Sequence, residues 1–446
     1  MNRSDCTKVL AIGGGPANLS LAALADPIGD VQVSVVESRK SVAWHPGLLW
    51  CGSRLQASAA KDLVSQVDPR SRFSFMNFLH EHGRLYRHLI ASSDYVSRQE
   101  FDQYFAWAAQ LLRVCLDEAV LSVDHDGRRF VVRTTRGARM AESIVLGVGQ
   151  APYVPECARD INSPRLWHAS QHLDRGLPVD GKDVLLVGGG QSAGEVALDL
   201  LSGRTGRPRR FTWVTGGSGL VPLDDSPFSN EWFNPRFVEY FRELPAEHRA
   251  GLLDRQRSAT TGITGELLAQ IYRRLYELDY LTRSGLSHEV LAGARLTGLS
   301  ETPDHFRAAL LDTVTGTTRE SMCDLVVLAT GYRSRLPEFM APLRDRMPVA
   351  GDAYETGSDY RVHWDGPDAN RIYVQNAAQH SHGVADSTLG LAGWRSAVII
   401  NSLLDHEHYR LKADDITVSL DRSAPIGTGP GPDLPRSRRV EGGVAR

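Results

Sequence analysis

The chain lacks paired cysteines: Cys6, Cys51, Cys115, Cys157 and Cys323 are scattered, with no CxxC among them. Neither a disulfide framework nor a structural zinc site can be read from that spacing, and reduced thiols in a cytoplasmic protein fit best. An excess of one charge is also missing. Lys plus Arg is 50 against 53 Asp plus Glu, a formal net charge of −3, which argues against a nucleic acid or an anionic membrane as partner. No stretch approaches the roughly 20 apolar residues of a membrane span. The start, MNRSDCTKVLAIGGG, runs into a strand without the apolar core of a secretory signal. The expectation is a soluble protein.

Glycine is plentiful, 41 residues in 446, and a length of this order suggests roughly two to three domains. The apolar run Lys8 to Ile12 is followed by Gly13-Gly14-Gly15-Pro16-Ala17-Asn18 and then the helix-like LSLAALA. That is strand, tight turn, helix, the arrangement whose glycines let a backbone approach a pyrophosphate at a helix N-terminus. A second strand, 31–36, ends in Glu37, about 20 residues on, where an acid can hydrogen-bond a ribose hydroxyl. The pattern recurs at Lys182 to Val187, Gly188-Gly189-Gly190-Gln191-Ser192-Ala193 and the AGEVALDLL helix. Here the next strand, 211–215, ends in Thr215-Gly216-Gly217 without a carboxylate, which disfavours NAD and permits NADP.

Two further apolar strands, 143–149 and 324–332, end in similar turns; the second delivers Ala329-Thr330-Gly331-Tyr332. The fingerprints start at Gly13 and Gly188, 175 residues apart, so the expected fold is α/β with two Rossmann-like dinucleotide-binding domains of three-layer ββα type, one inserted into the other. The expected division is a discontinuous FAD domain over 1–170 and 320–410, an NADP(H) domain over 171–319, both with substrate-site segments, and a tail over 411–446. That tail, with Pro425, Pro430, Pro432 and Pro435, has the composition of a disordered segment. Two nucleotide sites on one chain imply a hydride passing from a nicotinamide to a flavin. Without a CxxC for disulfide chemistry, molecular oxygen becomes the leading acceptor.

Several linked motifs then resemble one family, the flavin-dependent N-hydroxylating monooxygenases of lysine, ornithine and related diamines. They are Gly13 to Asn18, Trp44-His45-Pro46-Gly47, Leu55 to Val64, Asp68 to Phe75, Ser97 to Phe101, Gly188 to Ala193, Asp225 to Glu231, Ala329 to Tyr332 and His380 to Asp386. The similarity runs to about Leu404. It implies that NADPH reduces FAD, that oxygen adds to give a C4a-hydroperoxyflavin, and that a terminal primary amine attacks the distal oxygen. The amine must be neutral to do so, whereas a free Lys-like amine has a pKa of ~10.4; apolar surroundings lower it.

Carried over by position, the resemblance makes Gln56, Lys61 and Asn230 the catalytic set, with Lys61, Asn230, Thr261 and Gly390 at the substrate. Gly13, Gly15, Pro16, Asn18, Glu37, Trp44, His45, Gln56 and Leu389 are expected at the FAD. Arg98, Gly188, Gly190, Gln191, Ser192, Thr330 and Gly331 complete the cofactor set. The His380 and His382 pair is expected to hold no metal. The family's relatives make a dimer or tetramer the expected assembly.

Three departures stand out. Gly216 occupies a place where the family commonly carries an arginine for the 2′-phosphate, which leaves Arg98 to carry it. Ala59-Ala60 replaces a bulkier pair. Ser258 to Thr264 replaces an ornithine-branch Asn-Tyr segment, and Gly390 stands where relatives have Ser. The Gly262-Ile263-Thr264, Val96 to Phe101 and Leu391 to Ala397 runs are closer to the lysine and diamine branch of the family, and this resemblance favours lysine, cadaverine or putrescine as substrate, in siderophore or other N–O natural-product biosynthesis. L-Ornithine or another small amino acid is the alternative substrate. A sulfur- or ketone-oxygenating flavoenzyme and a sensor or uncoupled flavoprotein binding FAD and NADP are the competing classes.

Overall fold

The computed structural model describes residues 6–50, 52–55, 58–91, 96–176, 178–351, 353–411 and 416–420. Gln56 and residues 412–415 and 421–446 of the expected tail lie outside them. Two sheets organise the described chain. In the first, the order is Val33–Val36, Cys6–Ile12, Gly137–Leu146, Phe130–Thr134, Val120–His125. The first three strands run parallel, and the last three form an antiparallel meander. The long strand Gly137–Leu146 shares its outer edge: its first half pairs with Phe130–Thr134, its second with Ile372–Val374, which returns from late in the sequence.

The second sheet is wholly parallel, in the order Ser287–Leu291, Arg210–Val214, Asp183–Val187, Leu325–Leu328, Leu166–His168. Its central strands Asp183–Val187 and Leu325–Leu328 are buried along their whole length and read as nearly unbroken apolar runs because both faces are covered. Val184, Leu186, Phe211, Trp213 and Val327 point to one face, against the helices Gln191–Ser202 and Gly265–Tyr276. Leu185, Val187, Val214, Val326 and Leu328 point to the other, against the meander Ala294–Glu301, Phe306–Asp312, Thr318–Cys323. Each such fully buried aliphatic or aromatic side chain contributes about 1.5–3 kcal/mol through removal from water. This is the expected ββα layering.

The strands that flank the insertion fall differently from the division read in the sequence. Leu166–His168 and Leu325–Leu328 were expected in the first domain, but both pair within the second sheet. The physical reason is visible at Gly188, where an added Cβ would meet Ala329 O at 2.1 Å. The second glycine turn needs the end of that strand as its floor, just as the first uses Gly147, whose O would lie 2.5 Å from a Cβ on Gly13.

The candidate nucleotide and amine site

A cavity of about 920 Å³ opens at the C-terminal ends of the first sheet's parallel strands, large by the measure of small-molecule pockets. Gly13, Gly15 and Pro16 form its floor, with Glu37, Trp44, His45 and Leu389 on its walls. Gly13 needs its φ of +101°, a region that glycine alone enters freely. Gly15 begins the helix Pro16–Ala25 with no side-chain cap, and nothing lies within 4 Å of where its Cβ would be. Free N–H groups and open space at a helix N-terminus fit a pyrophosphate. Glu37 Oε2 accepts from Gly14 N at 2.7 Å, so its carboxylate stands at the turn's edge where a ribose diol belongs. The residues present therefore fit FAD.

Asn18 behaves differently from expectation. It is completely buried and cannot touch a ligand in the cavity. Its Nδ2 donates to Ile12 O at 3.0 Å and Gly13 O at 2.9 Å, while its Oδ1 accepts from Gln375 Nε2 at 2.9 Å. Gln375 Oε1 in turn accepts from Arg395 Nε at 3.1 Å, and Arg395 Nη2 donates to Asn376 Oδ1 at 2.9 Å. Arg395 and Asn376 both line the cavity. Asn18 is thus a positioning residue that ties the glycine turn to a buried polar network, which gives a reason for Asn at the sixth place of the turn. Gln375, Asn376 and Arg395 are absent from the sequence-based assignments; no local pattern marks them.

Trp44 and His45 are held by backbone constraints. Trp44 N donates to Asp102 Oδ1 at 2.6 Å, and burial raises the pKa of that carboxyl. His45 has a φ of +51°, a conformation that costs free energy in a non-glycine residue. A Cβ on Gly47 would lie 2.0 Å from Ser170 O, so the 44–47 segment is pressed onto the chain that follows the strand Leu166–His168 of the second sheet. The His45 ring opens on the cavity but is crowded elsewhere by protein. That dehydration, with the Arg98 and Arg39 guanidiniums, holds its pKa down to about 4, and the imidazole is neutral at pH 7.

Lys61 sits beside Gly390: a Cβ there would lie 3.1 Å from Lys61 Cδ and 3.7 Å from Cε. The lysine stem therefore lies across the bare glycine. Among the described residues no hydrogen-bond or ion-pair partner takes its ammonium. The loop under it is organised by Asp62, whose carboxylate accepts from Val64 N, Ser65 N and Phe75 N at 2.7–2.9 Å. An Asp bonding backbone two and three residues on is a local sequence signal that could have been read.

Asn230 closes the helix Pro227–Asn230, which Ser226 caps. Its Nδ2 donates to Asp225 O at 2.8 Å, and its side chain is exposed. Phe233, three residues on, packs with Ala385 and Leu391, which brings this turn to the wall that carries Gly390.

The second turn repeats the first. Gly190 begins the helix Gln191–Ser202 without a side-chain cap, and Ser192 lies in its first turn. Gln191 Oε1 accepts from Thr264 N at 3.0 Å, and its Nε2 donates to Glu195 Oε1 at 3.0 Å. Thr330 and Gly331 follow the strand that floors this turn; Thr330 Oγ1 donates to Tyr153 O, and Gly331 O accepts from Tyr153 N at 2.8 Å. These features fit a second dinucleotide, NADPH.

Thr261 lies against this turn. Its carbonyl oxygen would lie 3.3 Å from a Cβ on Gly190, and its hydroxyl donates to Arg257 O at 2.8 Å. The cause is the clamping of its segment by Leu223 N to Ile263 O at 2.8 Å and by the Gln191 bond. Arg98 is also committed: its guanidinium pairs with Glu195 at 2.8 and 2.9 Å, both side chains largely buried. No helix among the described residues is long and apolar enough to cross a membrane.

Comparison with known proteins agrees with this geometry. The chain is 34% identical over 407 residues to the L-lysine N6-monooxygenase of Escherichia coli, covering 90% of this chain and 95% of that protein. It superposes with a TM-score of 0.85, at 27% identity, on an FAD-bound cadaverine monooxygenase of the desferrioxamine pathway from Erwinia amylovora, over 94% of this chain and 98% of that one. It also superposes with a TM-score of 0.81, at 27% identity, on an ornithine N-hydroxylase of Kutzneria holding reduced FAD, NADP+ and L-ornithine, over 90% and 99% of the two chains. The model of L-lysine 6-monooxygenase/L-ornithine 5-monooxygenase matches residues 5–334, and the chain belongs to that family of NADPH-dependent flavin N-monooxygenases.

Proposed function

We propose that this enzyme N-hydroxylates the terminal primary amine of L-lysine or of a related diamine, cadaverine or putrescine, for a siderophore or another N–O natural product. FAD and NADPH, when bound, supply the electron pair that activates molecular oxygen. The chain's own residues do the rest. The walls at Leu389, Trp44 and Phe105 give an amine apolar surroundings that favour its neutral, nucleophilic form. Asn230 presents an exposed amide from the turn that Ser226 caps.

The observation that carries the lysine reading is Lys61 lying across Gly390 with an ammonium that no described residue pairs, a compact point charge suited to a substrate carboxylate. The absence of a side chain at 390 leaves room for the Lys61 stem to lie there. The test is a panel of lysine, cadaverine, putrescine, ornithine and aspartate, scored by kcat/KM for hydroxylamine formation in the wild type and in Lys61→Ala. Lysine or a diamine should lead. If it is lysine, the variant should raise KM about tenfold or more with flavin content unchanged; if a diamine, the variant should change little. Ornithine leading the panel would contradict the assignment.

A further inference from the structure

The two glycine turns correspond residue by residue. Gly13 rests on Gly147 as Gly188 rests on Ala329. A Cβ on Gly14 would lie 2.9 Å from the Glu37 side chain, and one on Gly189 would lie 2.2 Å from Thr215 Oγ1. Thr215 therefore occupies in the second unit the place that Glu37 occupies in the first. A carboxylate there binds a ribose diol and repels a 2′-phosphate; a neutral residue with a guanidinium nearby accepts the phosphate.

Glu37 thus marks the first site for a dinucleotide without a 2′-phosphate. At the second, the strand Arg210–Val214 runs into Thr215 and Gly216, neither of them basic. Arg98, the sequence-based candidate for that contact, is taken up by Glu195.

We propose that Arg295, from the adjoining meander, supplies the 2′-phosphate contact across Gly216 and sets the preference for NADPH over NADH. A Cβ on Gly216 would lie 3.8 Å from Arg295 Nε, so the guanidinium group lies over the bare glycine. Its position is fixed by the backbone: Thr215 N donates to Leu291 O at 2.9 Å, Gly293 N to Gly217 O at 2.6 Å and Ala294 N to Thr215 O at 3.0 Å. Arg295 is exposed. Among the described residues it has no hydrogen-bond or ion-pair partner to give up. The arginine comes from a strand 79 positions after Gly216 and fills the space that a side chain at 216 would take.

This inference rests on the second turn binding a nicotinamide dinucleotide, and its test does not use the hydroxylation reaction. Calorimetry on the FAD-loaded enzyme would compare 2′,5′-ADP with 5′-AMP. The wild type should bind 2′,5′-ADP about tenfold tighter or more, Arg295→Ala should lose that margin with 5′-AMP unchanged, and Arg295→Lys should keep part of it. Adding Gly216→Arg to Arg295→Ala should restore the margin. Equal affinities in the wild type, or a margin that survives Arg295→Ala, would overturn the assignment. Selective loss of 2′,5′-ADP binding in an enzyme that hydroxylates no amine would leave Arg295 in place and remove the substrate reading instead.

Discussion

His382 illustrates how a residue that resembles a ligand can serve packing. Its ring stacks on Tyr360 at 3.9 Å between centroids. Arg242 can only donate, so its 2.9 Å contact makes His382 Nε2 an acceptor. The ring proton is then on Nδ1, donated to Ser381 Oγ at 2.9 Å. Burial first, then the Arg242 and Arg395 charges, lowers its pKa from 6.5 to about 3. The folded state therefore binds fewer protons than the unfolded one between those values. The stability that the neutral ring supports is complete above about pH 6.5 and is lost as pH falls toward 3, at up to about 1.4 kcal/mol per pH unit. In thermal melts from pH 7 to pH 4, His382→Gln should flatten the decline relative to the wild type. An equally steep decline would assign it to other groups. The sequence could show that this histidine pair lacked carboxylate partners for a metal, but not that Tyr360 and Arg242 would enclose it.

Among the elements, the glycine turns are where sequence and structure agree most closely, because their chemistry is local. Strand, three glycines and helix fall within about 20 residues, and both units form as the pattern implies. The strands that floor them were visible as apolar runs, yet their sheet membership depended on pairing across the chain: Leu325–Leu328 lies beside Asp183–Val187. Periodicity alone does not carry that information. The contact of the Thr261 segment with the second turn was out of reach of the sequence for a related reason, since the bond from Thr264 N to Gln191 spans 73 residues. Gly188→Ala tests the turn as an element. With φ at +142° and Ala329 O 2.1 Å from the new methyl group, the turn must shift. NADPH affinity should fall at least about tenfold while FAD content stays near wild type. Unchanged affinity would show that the turn does not carry the nucleotide.

At the scale of the whole molecule, the two lobes are coupled by a buried ion pair. Arg98 begins the helix Arg98–Leu111 of the first lobe, and Glu195 lies in the second lobe's Gln191–Ser202. Removing one partner strands the other charge in a largely dry setting, at a cost of about 3–5 kcal/mol. Arg98→Ala should therefore lower denaturant stability by about that much, and Arg98→Ala with Glu195→Ala should recover part of it. Additive losses would show that the pair is not coupled. The sequence placed Arg98 at a nucleotide because its neighbours resemble a family motif. Its partner, 97 residues away, could be found only once the lobes were docked.

The central claim is that two nucleotide sites and one amine site act together in a coupled oxygenation. The most direct test measures NADPH oxidised, hydroxylamine formed and hydrogen peroxide released on the purified, FAD-loaded protein with its best amine. Hydroxylamine equal to NADPH consumed, with little peroxide, is the predicted result. Peroxide accounting for all the NADPH with every amine in the panel would contradict it and leave an uncoupled flavoprotein.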